Sequence, residues 1–277
     1  VRIEAEGLEN YNYQNGVLTL NWEYLIRRPN GVLEVKFVTS KNTVTVWVEI
    51  KGAVSLTTVG AGTEADPYKI YTVDQIVELA NTAAANNYYQ GKYFQLSDNI
   101  DMREEAFTPI ADFKGVFDGN GYIIRNLVIN ALGVNDTAGL FAVNSGTVKN
   151  LTLNSQIKIN GQRTVTAGAI AGYNYGTISG CTAQGAINVE CKTNNLNRTF
   201  FNVGGIVGIN KGTIINTTAN NDLYVTSSSY NVLTKAYIAG VAGLNEGTVT
   251  SCIGYENKIH DDIAWYNGKK INAIYNS

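Results

Sequence analysis

Gly168-Ala169-Ile170-Ala171-Gly172-Tyr173-Asn174-Tyr175-Gly176-Thr177-Ile178 decides the fold, because the same pattern stands at three other places in the chain. They are Ala138 to Val148, Gly204 to Ile214 and Ala239 to Val249. The common form is small, small, apolar, any, small, apolar, Asn, any, Gly, Thr, β-branched. Counted from the shared asparagine, successive copies lie 30, 36 and 35 residues apart. One structural unit per copy, with length variation confined to a connecting loop, accounts for that spacing.

Each copy contains short β-branched segments and no helical periodicity, so helical solenoids are excluded. Two or three strands of four to six residues are expected per copy, fewer than the roughly four strands of a propeller blade. A coiled parallel sheet fits, and the fold class expected is all-β: a right-handed parallel β-helix. Equivalent residues of successive turns then stack about 4.8 Å apart in columns. One column is Asn144, Asn174, Asn210 and Asn245; another is Leu151, Cys181, Thr217 and Cys252. The asparagines are expected at a corner, where Asn tolerates left-handed backbone and its amide can bond to the copies above and below. The second column reads as a half-buried inward position where Cys behaves as a small hydrophobe.

Upstream, Thr72-Val73-Asp74-Gln75 has the form of a capping box, followed by Val73, Ile76, Val77, Ala80 and Ala84 at three- and four-residue intervals. A helix from Thr72 to Asn86 is expected to cap the N-terminal end of the coil. Residues 1–53 alternate in strand fashion around turns at Asn15-Gly16 and Pro29-Asn30-Gly31. They read as a small all-β module, Ig-like or a partial sandwich, joined by a linker at 54–66 to a capped coil at 67–277. After His260, Ala264 to Ile271 reads as a hairpin with an Asn-Gly turn that covers the other end.

Composition narrows the function. With 21 basic and 23 acidic residues, net charge −2, the chain has no basic patch for a phosphate backbone, so nucleic acid is not an expected partner. No apolar run approaches the roughly 20 residues of a spanning helix, so membrane insertion of this segment is not expected. No signal-peptide pattern opens the chain at Val1, and a leader or anchor already removed is the expectation. Cys181, Cys191 and Cys252 have no metal-ligand spacing, and neither redox compartment is excluded. No metal, cofactor or catalytic residue is expected.

An enzyme reading rests on Asp98, Asp101, Glu104, Glu105, Asp112 and Asp118, since glycosidase chemistry needs two carboxylates about 5–10 Å apart, one with a raised pKa. Asp118 stands in Asp-Gly-Asn-Gly, where a turn role is the simpler reading. His260-Asp261-Asp262 holds the single histidine, but adjacent residues of an extended chain face opposite ways, and a solvated terminal segment is expected. Lys211-Gly212-Thr213 has the wrong order for a phosphate loop. Flat amphipathic side chains suit sugars and protein partners alike, which makes Tyr88, Tyr89, Tyr173, Tyr175 and Tyr230 the candidate ligand contacts. The variable loops at Cys191 to Phe201 and Ser227 to Lys235 are candidate display sites.

The repeats resemble the GLUG-type repeats of large bacterial surface proteins, among them adhesins and non-catalytic regions of immunoglobulin-cleaving proteases. The likeness extends upstream through Asp66-Pro67-Tyr68, Tyr93-Phe94-Gln95-Leu96, Asn99-Ile100-Asp101, Phe107-Thr108-Pro109-Ile110 and Phe113 to Ile129, covering about residues 62–260. The resemblance implies a cell-surface or secreted bacterial protein, a non-enzymatic adhesion or interaction module whose partner is a host or cell-surface protein or glycan. It carries over no catalytic residues. The alternative is a carbohydrate-binding or polysaccharide-cleaving β-helix, and a rigid spacer is a third reading.

Overall fold

The computed structural model describes residues 1–29, 31–50, 54–85, 89–133, 135–161, 163–191, 200–227, 235–255 and 258–263. The repeat folds as a parallel β-coil. One turn runs through the strands Ala171–Asn174, Thr177–Ser179, Thr182–Cys191 and Phe200–Gly204. The next turn runs through Val207–Asn210, Thr213–Ile215, Thr218–Ser227 and Lys235–Ala239. Each strand pairs in parallel with its counterpart one turn away, Ala171 with Val207, Thr177 with Thr213, Thr182 with Thr218 and Phe200 with Lys235. Stacking the turns makes four parallel sheets, which are named here by their residues. The Asn sheet contains Ala171–Asn174, the Thr sheet Thr177–Ser179, the long-strand sheet Thr182–Cys191, and the fourth sheet Phe200–Gly204.

Each turn therefore holds four strands, not two or three. One of the four is also longer than the four to six residues expected. Thr152–Gly161 alternates buried Leu153, Ser155, Ile157 and Ile159 with outward Asn154, Gln156, Lys158 and Asn160, and keeps one register with Thr182–Cys191 for all ten residues. Four strands per repeat would equally suit a propeller blade. Parallel pairing between repeats, in place of antiparallel pairing within one, marks the coil.

The asparagine column forms in register, and it explains the repeat better than a corner does. Asn144, Asn174 and Asn210 are fully buried, each amide donating to the Oδ1 of the next at 2.8 Å, ending on Asn245. None of the four has left-handed backbone. That geometry falls instead on Asn150, Gly180, Asn216 and Ser251, with φ of 53°, 60°, 51° and 52°, each directly before the Leu151, Cys181, Thr217 and Cys252 column. This second column is buried outright, not half-buried. Its three polar members act alike: Cys181 Sγ, Thr217 Oγ1 and Cys252 Sγ each donate to the carbonyl two residues back, at 3.3, 2.9 and 3.3 Å.

The glycine of Asn-x-Gly is required by closeness. A Cβ on Gly146, Gly176, Gly212 or Gly247 would overlap the carbonyl oxygen of the glycine one turn before it, starting with Gly115. Gly172, Gly208 and Gly243 face the fourth sheet, where a Cβ would strike Thr137, Ala167 or Val203. The Asn column starts only at the second turn. Phe113 occupies the position opposite Asn144, and its ring packs against Phe94, Phe117 and Phe141 with centroids 5.9, 6.4 and 4.9 Å away.

The helix spans Val73–Ala85. Gln75 Oε1 accepts from the backbone N–H groups of Tyr71 and Thr72 at 2.7 and 3.2 Å, which is the back-reaching half of a capping box. Ile76, Leu79 and Ala80 enter the coil's core, whereas Val77 stays 40% exposed. The apolar stripe thus runs through Leu79 and not Val77. The helix lies at the end of the coil where Tyr68–Ile70 closes the Thr sheet. Residues 54–66 are fastened to this end: Leu56 is fully buried in the same core, and its N–H donates to Glu78 Oε2 at 2.7 Å.

Residues 1–50 form two small antiparallel sheets. Arg2–Glu4, Gly31–Val38 and Thr43–Ile50 make one, and the hairpin Tyr11–Gln14 with Val17–Leu20 makes the other, turning at Asn15-Gly16 with both φ positive. A four-residue helix, Trp22–Leu25, interrupts what reads from sequence as all β; Asn21 Oδ1 caps it by accepting from Tyr24 N at 2.8 Å. Ile3, Tyr24, Leu33 and Val35 form a separate small core. The Ala264 to Ile271 hairpin lies outside the described residues.

Candidate recognition surface

Four of the carboxylates weighed for catalysis, Asp98, Asp101, Asp112 and Asp118, are engaged by hydrogen-bond donors. Asp118 Oδ1 accepts from Asn120 N at 2.8 Å and from Asn150 Nδ2 at 3.0 Å, tying one turn to the next. Asp101 accepts from Arg103 N at 2.9 Å, Asn126 Nδ2 at 3.0 Å and Arg125 Nε at 3.1 Å. Those bonds, the Arg103 N–H foremost, hold its carboxyl below the usual carboxylate range, the reverse of what a general acid needs. Asp98 takes Asn99 N at 2.8 Å and lies 3.7 Å from Arg27. Asp112 accepts from Ser145 Oγ at 2.7 Å and pairs with Lys114 at 2.9 Å. Glu104 and Glu105 are exposed. Among the described residues no group of three His, Cys, Asp or Glu could hold a metal ion.

Burial pushes the Cys181 thiol up to about 11 and raises that of Cys252, so both are neutral thiols packed in the core. No described helix is long and apolar enough to cross a membrane.

The five tyrosines separate. Tyr88 and Tyr230 lie outside the described residues, as do most of both variable loops. Tyr89 is buried, edge-on to Tyr68 and Phe94 with centroids 6.5 and 5.1 Å away, and is a core residue. Tyr173, on the strand, and Tyr175, one residue past its end, come together on the outside of the Asn sheet, on either side of the buried Asn174. Their rings are 8° from parallel with centroids 6.4 Å apart, and Tyr175 is 52% exposed. Thr166 Oγ1 donates to the Tyr173 hydroxyl oxygen at 3.4 Å, while Lys211 Nζ stands 5.9 Å from the Tyr175 ring and 3.3 Å from Glu246.

The repeat itself builds this face. Ser145, Tyr175, Lys211 and Glu246 occupy the variable place in Asn-x-Gly on successive turns. Val143, Tyr173, Ile209 and Leu244 form a parallel column two residues earlier, in register. A polar column thus runs beside an apolar one along the coil. The variable place within an otherwise fixed motif was the signal that could have located it from sequence.

A second cluster lies on the long-strand sheet. His260 does not belong to a solvated tail: Ile259–Ile263 is a strand paired in parallel with Thr218–Ser227. The imidazole stacks on Tyr224 with centroids 4.6 Å apart, and Asp222 Oδ1 lies 3.7 Å from His260 Nε2 and 3.4 Å from Lys258 Nζ. A residue reached across a turn is invisible to local spacing.

No protein-family model matches the chain. It is 31% identical over 155 residues, 50% of its length, to a halomucin of Haloquadratum walsbyi, of which those residues are 2%. It is 33% identical over 138 residues, 45% of its length, to a protein of Evansella cellulosilytica named by inference as a Gly-rich membrane protein, of which they are 15%. The chain therefore corresponds to a small part of each of these relatives. A solved structure from Bacteroides ovatus, named by inference as an immunoglobulin A1 protease, aligns over 79% of this chain and 82% of its own at 20% identity, with a TM-score of 0.39.

Proposed function

We propose that the chain is a non-enzymatic interaction module of a cell-surface or secreted bacterial protein, a rigid β-coil whose helix at Val73–Ala85 caps one end and whose lateral face meets a glycan or a protein. The observation that carries this reading is the contrast between acids and aromatics. Asp101, Asp112 and Asp118 are engaged by turn donors, whereas Tyr175 stands open beside Tyr173 on a face assembled by the repeat. Solvent-facing aromatic rings with polar neighbours suit the flat faces of sugars and the anchors of protein interfaces. The names of the two relatives, a halomucin and a membrane protein, agree with a place at the cell exterior.

The test pairs a glycan array and a cell-surface protein screen with a polysaccharide turnover assay. Binding that is lost in Tyr175→Ala, with unchanged melting and no turnover, supports the module. Turnover abolished by Asp101→Asn would establish an enzyme instead. The carbohydrate-binding reading is the second choice within this proposal, favoured by the parallel Tyr173 and Tyr175 rings; binding confined to protein ligands would remove it.

A further inference from the structure

We infer that the strand Thr43–Ile50 is a dimerisation edge, pairing antiparallel with the same strand of a second copy of this chain. The strand ends its sheet, with order Arg2–Glu4, Gly31–Val38, Thr43–Ile50, so among the described residues its outer N–H and C=O groups have no strand partner. Seven of its eight residues are exposed and the last is half-buried. Val44, Val46, Trp47 and Val48 are 57%, 41%, 65% and 39% exposed.

The apolar face of this strand continues the small core of residues 1–50. Val48 lies opposite Leu33, Val46 opposite Val35 and Val44 opposite Phe37, and Leu33 and Val35 are buried. The second layer, built from the hairpin and Trp22–Leu25, covers that part of the sheet and stops short of the valines. Edge strands are commonly blunted by proline, lysine, a bulge or an inward charge. Thr-Val-Thr-Val-Trp-Val-Glu-Ile has none of these, and its one charge, Glu49, is on the face away from the valines.

The sequence of the strand is self-complementary, which selects the partner. An antiparallel pair with a two-fold axis at Val46 sets Val44 against Val48, Val46 against itself, and Glu49 against Thr43. With the axis at Trp47, Val46 faces Val48, Val44 faces Ile50, and Glu49 faces Thr45. Either arrangement keeps the apolar residues on one face and opposes no like charges. The opposite edge, Arg2–Glu4, is only three residues long and its arginine and glutamate pair with each other, so head-to-tail addition leaves most of the eight residues unmatched. The isologous pairing closes after two copies and makes a continuous six-stranded sheet.

Sedimentation velocity of the whole chain over a wide concentration range tests this. A dimer that dissociates on dilution is expected, with Val46→Lys monomeric and unchanged in the far-UV circular dichroism of the coil. Because Val46→Lys places a charge beside the small core, Val46→Cys and Trp47→Cys supply a second test. Mild oxidation should yield a symmetric link between copies in one of the two, mapped by peptide mass spectrometry. A wild-type chain monomeric at all concentrations overturns the inference. So does a dimer that survives Val46→Lys, or the absence of a symmetric link in both cysteine variants.

Discussion

The side-chain amide of Asn174 donates to Asn210 Oδ1 at 2.8 Å across one turn of the coil, while its own Oδ1 accepts from Asn144 at the same distance. Both neighbours are fully buried. Asn174 Nδ2 also reaches the carbonyls of Gly176 and Thr213 at 3.3 and 3.4 Å, so each amide ties its own turn to the next.

Asn174→Ala leaves Asn144 Nδ2 with only its 3.4 Å bond to the Thr177 carbonyl and Asn210 Oδ1 with only the Gly212 N–H at 3.3 Å. At about 0.5–1.5 kcal/mol for each buried hydrogen bond removed, the two ladder bonds lost should cost about 1–3 kcal/mol together. Denaturant unfolding of the variant beside Asn245→Ala measures it. Asn245 ends the ladder and is only partly buried, so the terminal change should cost less.

Gly176→Ala introduces a methyl where the Gly146 carbonyl oxygen already sits. Turns must separate locally, and a destabilisation of about 1–3 kcal/mol is expected from overpacking. Thr177→Ala, one residue on and facing outward, serves as the control. Equal melting temperatures for the two variants would contradict the stacked-glycine account.

Cys181 should resist alkylation in the native chain and react once the chain is unfolded, because its thiol is buried and neutral. Its folded pKa of about 11 stands above the ordinary 9.0. The unfolded state therefore releases its proton first as pH rises. Stability from this group is complete below pH 9.0 and declines toward about 11, by up to roughly 3 kcal/mol at 1.36 per unit. Cys181→Ser, which bonds the same carbonyl without titrating there, should flatten that decline. Cys181 and Cys252 are two turns apart, roughly 10 Å, beyond the reach of a disulfide at about 7 Å. Reducing agent should leave the melting temperature unchanged.

Asp101 has its folded pKa lowered, so its contribution is present above the ordinary carboxylate pKa and is lost as pH falls through the depressed value. Asp101→Asn should therefore lose stability at neutral pH and converge with wild type in acid. A general acid would behave otherwise, with stability little changed and turnover removed.

Leu56→Ala removes a fully buried side chain from a segment that reads as linker, and a cost of about 2–5 kcal/mol is expected. A change within a few tenths of a kcal/mol in global unfolding would show that residues 54–66 are not part of the coil's cooperative unit.

The repeat was legible because stacking imposes the same demand once per turn. A glycine with no room for Cβ, an asparagine that must both give and accept, and a corner with positive φ each recur at 30-, 36- and 35-residue steps. Asparagine suits left-handed backbone and ladders equally, so composition does not distinguish the corner at Asn150 from the ladder at Asn174. Leu79 is buried and Val77 exposed because a helix's buried arc depends on how it lies against Ile110–Phe113, which spacing along the chain does not encode. Tyr89 and Tyr175 are the same residue type with opposite fates. One is drawn in by Tyr68 and Phe94, the other held out at the variable place of the motif.

The repeat by itself determined that the chain is built of like β units in step and excluded helical solenoids; that each strand pairs in parallel with its own copy, making a coil and not a propeller, was decided in space. What tertiary structure decided is which residues meet across turns: the fourth strand, His260 on Tyr224, the parallel rings of Tyr173 and Tyr175, and the open valine edge at Thr43–Ile50. Those depend on how sheets pack and where covering layers end, which are distances in space that sequence separation does not encode.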